Sequence, residues 1–381
     1  MIQSAYIHIP FCHHICHYCD FNKVFFKHQP VDEYIEMLIK EMHHVSGQYL
    51  KGKPLQTIFI GGGTPTALSA SQLDRLLEGI NLELEPTNEL VEFAVEANPG
   101  ELTLEKLTVL KNAGVNRLSI GVQSFNDDLL QRIGRVHRKD DVFRTIQLAE
   151  QVGFENLSID LMYGLPGQTV EDFQESLKTA FTLNVKHFSA YSLIVEPKTV
   201  FYNLMQKGRL SLPPQELEAQ MYELTMELMD KQGYKQYEIS NYAIPGFESK
   251  HNLTYWNNDY YFGFGAGAHG YVNGVRTSNI GPIKKYITNI QQSGDAFNSK
   301  ISVSKKEQME EEMFLGLRKI AGVSKEAFYH KFQVKMIDVF QKEIVKLVNL
   351  GLIVNEAEVI KLTHKGKLLG NEVFQEFIDI D

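Results

Sequence analysis

Through its first 190 residues the chain alternates short apolar, β-branched runs with amphipathic helical stretches, and this rhythm limits the fold more than any other feature. The apolar runs fall at residues 5–9, 57–60, 92–95, 117–121, 157–162 and 187–192. Between the first two, Val31, Tyr34, Leu38, Met42 and Val45 recur at helical spacing and give one buried stripe. Further helices are expected at 71–82, 103–112, 139–152 and 170–183, with Gly79, Gly114 and Gly153 near helix ends as left-handed caps. Six βα units in strict alternation specify an α/β fold with a parallel sheet and right-handed crossovers, doubly wound or barrel-like. No second set of units completes an eightfold barrel. The expectation is an open, partial (β/α)6 TIM-like barrel.

In either architecture ligands gather at the carboxyl ends of the strands. Polar or glycine-rich segments follow five expected strands in turn: Cys12 to Cys19, Gly61 to Thr66, Glu96 to Gly100, Gln123, and Tyr163 to Thr169. Five consecutive strand ends therefore converge on one mouth.

Residues 195–300 are less regular, with a helix near 216–232 and a glycine- and aromatic-rich stretch at 255–271. From Ser304 the pattern becomes helix, short helix, helix, two apolar runs (352–354 and 359–362) and a final helix, which is winged-helix-like. The expected organisation is a barrel over 1–235, a connecting region over 236–300 and a mostly helical C-terminal domain over 301–381. The chain carries 38 basic and 47 acidic residues, net −9, so a broadly basic nucleic-acid face is not expected. No apolar run approaches the ~18 residues of a membrane span. Met1-Ile2-Gln3-Ser4-Ala5 has neither a basic n-region nor an apolar h-region, so the expected location is cytoplasmic.

All three cysteines lie in Cys12-His13-His14-Ile15-Cys16-His17-Tyr18-Cys19, spaced C-x3-C-x2-C. One short loop at this spacing can bring three thiolates onto a single inorganic group, and a reducing compartment keeps them free. A [4Fe–4S] cluster with three cysteine ligands leaves one iron open. Zinc held by three cysteines and one of His13, His14 or His17 is the alternative, although structural zinc more often uses two separated ligand pairs.

The loop and its place after the first strand of a βα barrel resemble the radical S-adenosylmethionine superfamily. The resemblance implies Cys12, Cys16 and Cys19 as cluster ligands and S-adenosylmethionine on the fourth iron, where a reduced cluster cleaves the sulfonium to a 5′-deoxyadenosyl radical. It implies that Tyr18 stacks on the adenine and that Gly62, Gly63 and Thr64 contact the methionyl amino group. Glu96 serves the ribose or amino group, and Arg135 suits the carboxylate by bidentate bonding. Tyr6, Gln123 and Asp160 complete the implied set. No catalytic residue is assigned.

Tyr6-Ile7-His8-Ile9-Pro10-Phe11-Cys12, Gly121-Val122-Gln123-Ser124-Phe125 and Asp160-Leu161-Met162-Tyr163-Gly164-Leu165-Pro166-Gly167-Gln168-Thr169 are similar to the oxygen-independent coproporphyrinogen III oxidase group, along almost the entire chain. That oxidase carries a fourth cysteine where Phe21 stands here, and a longer arm before the cluster. Both departures match the haem-chaperone branch of the group, which also carries the H-N-x-x-Y-W motif present here as His251-Asn252-Leu253-Thr254-Tyr255-Trp256. A neutral imidazole can ligate haem iron and aromatic rings can cover the macrocycle. The branch therefore implies His251 as haem ligand, Tyr255 and Trp256 as wall, and His269 as a second candidate; the bland reading is that these residues merely pack the barrel.

The function expected is a haem-binding chaperone that passes haem to an acceptor protein, with the cluster serving dimerisation, regulation or a redox step. The alternatives are oxidative decarboxylation of coproporphyrinogen III and radical chemistry on RNA; Phe21 counts against the first and the net charge against the second. The expected cofactors are a [4Fe–4S] cluster, S-adenosylmethionine and haem. The expected partner is a haem acceptor, with a homodimer and transient docking on membrane haemoproteins both open. Haem transfer needs an accessible site, so partial exposure of His251 is expected.

Overall fold

The computed structural model describes residues 2–50, 54–84 and 90–379. The six expected strands form as β1 (Ser4–Ile9), β2 (Thr57–Gly62), β3 (Glu92–Ala97), β4 (Arg117–Gln123), β5 (Asn156–Tyr163) and β6 (His187–Ser192). They pair in parallel in sequence order, with Ser4 opposite Thr57, Ile9 opposite Gly62 and Gly121 opposite Asp160. One face of each strand is apolar: Ile7, Ile9, Ile58, Ile60, Phe93, Val95, Leu118, Ile120, Ile159 and Leu161 are completely buried beneath the helices. Each such side chain contributes roughly 1.5–3 kcal/mol of burial free energy. The alternate residues face the lumen and are polar, with Ser4, Thr57, Glu92, Arg117, Ser158, His187 and Ser189 all buried there.

The helix Val31–Tyr49 buries the expected stripe of Val31, Tyr34, Leu38, Met42 and Val45. The helix Ala70–Glu83 starts on a capping box between Ser69 and Gln72. Gly114 and Gly153 take positive φ at helix ends, as expected. Gly79 does not: it lies inside Ala70–Glu83, where an added Cβ would sit 2.4 Å from Ile39 Cγ1. Its role is close helix–helix approach, because the contact leaves room only for hydrogen.

Residues 236–300 are built into the same sheet. β7 (Lys235–Glu238) and β8 (Asn241–Ala243) extend it antiparallel beyond β6. On the other side β9 (Tyr261–Phe264) lies parallel to β1 as a seventh parallel strand, followed by antiparallel β10 (His269–Val272), β11 (Val275–Asn279) and β12 (Phe297–Ser302). The order is β12-β11-β10-β9-β1-β2-β3-β4-β5-β6-β8-β7, a sheet that curls without closing. Gly263 permits it, since a Cβ there would overlap the His269 carbonyl at 1.9 Å. β9 escapes periodicity because its Tyr261-Phe262-Gly263-Phe264 sequence does not alternate apolar with polar.

After Ser304 the helices Lys305–Gly316, Lys325–Phe332 and Met336–Asn349 pack with a three-stranded sheet of Val323–Ser324, Val359–Leu362 and Ile353–Asn355. Phe328, Phe340, Ile344, Leu347, Ile360 and Phe377 form its separate core, in a winged-helix arrangement. Among the described residues no helix is long and apolar enough to cross a membrane.

Candidate functional site

β1 runs straight into the cysteine loop. Phe11–Cys12 bridges in parallel to Val24–Phe25, closing residues 13–23 into a lobe over the strand ends. His8 Nε2 lies 2.7 Å from the Asn22 carbonyl, and Asn22 Nδ2 donates to the Ala266 carbonyl at 2.7 Å, so the lobe is tied to β1 and to the β9–β10 turn. Cys12 is buried, which pushes its thiol up to about 11, and it accepts a hydrogen bond from Thr64 Oγ1 at 3.5 Å. Arg135 Nη1 donates to Cys16 Sγ at 3.5 Å. Lys23 donates to the Cys19 carbonyl, and its charge partly offsets the burial that raises the Cys19 thiol. Hydrogen bonds and cations of this kind favour thiolates and tune a cluster that they hold.

Among the described residues no three His, Cys, Asp or Glu side chains converge on a point that a single ion would occupy. Three thiols on one loop, with Thr64 donating to one sulfur and Arg135 to another, are a donor set that fits a cluster.

The glycine run closes the site from β2. A Cβ on Gly63 would lie 3.0 Å from Cys12 Sγ and 2.8 Å from the Pro10 carbonyl carbon, and one on Gly62, at φ 118°, would lie 2.5 Å from the His8 ring. The Gly62 amide donates to Glu96 at 3.0 Å. Burial, then the charge of Asp160, leaves the Glu96 carboxyl at about 7. Asp160, itself raised by burial, accepts from Ser119 at 3.4 Å. Gln123 stands at φ 67° beside a register shift in β4, a left-handed conformation that costs a non-glycine residue free energy and here turns the strand end into the mouth. Tyr6 reaches His8 Nδ1 at 2.9 Å, and Tyr18 stands half-buried against Cys16 and Arg135.

All the residues expected around the cluster therefore lie on one mouth. Sequence reasoning missed the residue that joins them. Asn98 accepts from Arg135 Nη2 at 2.7 Å and donates to Thr64 Oγ1 at 3.1 Å, so one amide connects the groups that contact Cys16 and Cys12. The Glu96-Ala97-Asn98-Pro99 motif contained the signal, but a short polar side chain at a strand end reads equally as a turn.

The expected haem residues are arranged differently. His251, Tyr255 and Trp256 lie on the short helix Lys250–Trp256, whose N-terminus is capped by the Glu92 carboxylate through Ser249 Oγ and the amides of Lys250 and His251. This helix fills the amino-end floor of the barrel. His251 is completely buried, bonded at Nδ1 to Thr57 Oγ1 (2.9 Å) and at Nε2 to Tyr255 Oη (2.8 Å), with its ring stacked on Phe59. Burial holds its imidazole at about 3. The expected partial exposure of His251 is not found, because both nitrogens are used in packing the floor. Nor do Tyr255 and Trp256 form one wall: Tyr255 packs edge-on to Tyr261, while Trp256 faces the C-terminal domain under Arg318, 4.4 Å away. His269 is exposed on the mouth side.

Residues 6–180 match the Radical SAM superfamily model, and residues 303–369 match the HemN C-terminal domain. Over 378 residues, 99% of both chains, the sequence is 59% identical to the heme chaperone HemW of Bacillus subtilis (strain 168). The chain belongs to the HemW family. The heme chaperone HemW of Lactococcus lactis subsp. lactis (strain IL1403) is 48% identical over 99% of this chain and 97% of that one. The HemW-family chain also superposes on the coproporphyrinogen III oxidase HemN of Escherichia coli, with a TM-score of 0.86 and 25% identity, covering 99% of this chain and 90% of that one. This match carries the fold over both the barrel and the C-terminal domain.

Proposed function

We propose that this protein is a haem chaperone that binds haem and passes it to an acceptor protein. The observation that carries this reading is the 59% identity, over 99% of both chains, to a protein named heme chaperone HemW. In the same reading Cys12, Cys16 and Cys19 hold a [4Fe–4S] cluster and S-adenosylmethionine chelates its open iron. The paired donors on the sulfurs and the glycine cradle against Cys12 support it. When bound, the cluster supplies a single electron to the sulfonium.

The protein's own residues then have separable tasks. Arg135, held by Asn98 and the Gly121 carbonyl, presents a fixed cation to the ligand carboxylate. Glu96, Asp160, Tyr6 and Gln123 line the mouth as acceptors and donors for the amino and ribose groups. Gly62, Gly63 and Thr64 let the backbone approach, and Tyr18 offers a ring for the adenine. A cytoplasmic location, a homodimer and transient docking on membrane haemoproteins belong to the same proposal.

The likeness to HemN favours one second reading, decarboxylation of coproporphyrinogen III, although Phe21 occupies the oxidase's fourth-cysteine position. An anaerobic haemin titration of the cluster-reconstituted protein, followed in the Soret band, separates the two. A saturable one-to-one change supports the chaperone. Its absence, with coproporphyrinogen turnover in the presence of S-adenosylmethionine, establishes the oxidase.

A further inference from the structure

Asn22 lies just beyond Cys19, where the cysteine lobe turns back towards Val24–Phe25. Its side-chain amide reaches two carbonyls from separate parts of the sheet: Ala266 at 2.7 Å, in the β9–β10 turn, and Gly281 at 3.2 Å, after β11. Both neighbours are acceptors, so only an NH2 group suits the place, and both of its hydrogens are used. Glycines leave room for it. A Cβ on Gly267 would lie 2.6 Å from Asn22 Nδ2, and one on Gly281 would lie 3.3 Å from Asn22 Oδ1.

We propose that Asn22 is a positioning residue, a polarity-specific latch that fixes the cysteine lobe, and so the three thiols, over the strand ends. This latch rests on the cluster reading for what the lobe carries, and adds what holds the lobe in place. The receiving side is firmly built. Glu41, buried on the helix Val31–Tyr49, accepts from the Gly265 amide at 2.8 Å, from Asn279 Nδ2 at 2.6 Å and from Tyr286 Oη at 2.6 Å. Tyr34 Oη accepts from the Ala266 amide at 2.9 Å and donates to the His8 carbonyl at 2.8 Å. The β9–β10 turn is thus bound to the same helix and strand that support the lobe.

The backbone of Asn22 extends the latch to the mouth. Its carbonyl accepts, so His8 Nε2 carries the hydrogen across their 2.7 Å contact. Burial holds the His8 imidazole below its ordinary value and keeps it neutral, which leaves Nδ1 bare. Tyr6 Oη then donates to Nδ1 at 2.9 Å, and its oxygen lone pairs stay free to accept from a ligand. One residue of the lobe thereby sets both where the thiols stand and which way the Tyr6 phenol points.

Asn22→Asp tests the latch, because it keeps the size of the side chain and reverses its polarity. A carboxylate facing two carbonyls repels both. In the full-length, cluster-free protein the amides of His17, Val24 and Phe26, bonded to the Ile133, Pro10 and Cys12 carbonyls, are expected to exchange hydrogen about tenfold faster. Amides of β3 to β5 should keep wild-type rates. After reconstitution the variant should lose its cluster absorbance in air several-fold faster and show a shifted EPR signal on reduction. Asn22→Ala removes the donors without adding charge, and should fall between Asn22→Asp and the wild type. Packing alone would leave Asn22→Asp near the wild type and make Asn22→Ala the worst, and that order would overturn the latch. Gly281→Ala crowds the amide without changing its polarity and should speed exchange a few-fold, which keeps the test open if Asn22→Asp does not fold. Wild-type exchange in both Asn22→Ala and Gly281→Ala would also overturn the latch. Failure of the wild-type protein to assemble a cluster overturns the cluster reading instead, and the exchange rates of the cluster-free protein then decide the latch separately.

Discussion

His251 Nδ1 lies 2.9 Å from Thr57 Oγ1, at the end of β2 opposite the one that packs against the cysteine lobe. β2 runs from Thr57 at the floor to Gly62 at the mouth, and at ~3.3 Å per residue the two ends stand roughly 17 Å apart. The two motifs that most suggest chemistry, the cysteine loop and H-N-x-x-Y-W, thus occupy opposite ends of one barrel. Between them lies a polar lumen containing Arg117, Ser158 and Ser189.

The floor position makes His251 a structural pin. His251→Ala removes a stacked ring and both hydrogen bonds, and is expected to cost about 2–4 kcal/mol in urea denaturation. Thr57→Val should cost less, and the double-mutant cycle should show a coupling of about 1 kcal/mol. Coupling near zero would mean that the pair does not hold the floor.

Acid should loosen the same contact. The folded imidazole titrates at about 3 because of burial, against 6.5 when unfolded. Between those values the unfolded chain binds a proton that the folded chain refuses, so stability falls as pH falls, by up to about 1.4 kcal/mol per unit from this residue. His251→Gln should have a shallower acid limb than the wild type in stability measured from pH 7 to pH 4. Identical slopes would show that His251 is not buried neutral.

At the mouth, Cys16→Ala is expected to abolish the cluster absorbance while leaving haemin binding largely intact. Joint loss would mean that the two sites are one. Asn98→Ala should keep the cluster but weaken S-adenosylmethionine binding about tenfold, because Arg135 and Thr64 lose their shared partner. Isothermal titration of the reconstituted protein reads this directly.

The C-terminal domain is held partly through Arg318, which stacks on Trp256 and lies 3.9 Å from the fully buried Glu238. Arg318→Ala leaves that carboxylate without its cation, its other oxygen still held by the Ser240 amide and Asn241 Nδ2, at a cost of about 1–3 kcal/mol. Faster proteolysis near residues 300–305, with the cluster absorbance unchanged, is the expected signature.

Much of this architecture was legible in advance. Alternation specified the six strands from Ser4–Ile9 to His187–Ser192, since a parallel strand buried beneath helices must be apolar on that face. The C-x3-C-x2-C spacing placed all three thiols on one short loop, because eight residues cannot carry them to different parts of the fold. Gly79 was misread as a cap, because only the neighbouring helix reveals why Ile39 excludes a side chain. The strand Tyr261–Phe264 was missed because its pairing with β1 is long-range.

The sequence by itself determined the βα rhythm, the ligand loop and the family motifs, all of which are written in local order and spacing. The tertiary structure alone decided where His251 sits and what its nitrogens meet. An imidazole beside aromatics is equally suited to iron and to packing, and the choice depends on whether its nitrogens meet solvent or partners. Thr57 and Tyr255, brought to it by the packing of the floor, take up both nitrogens.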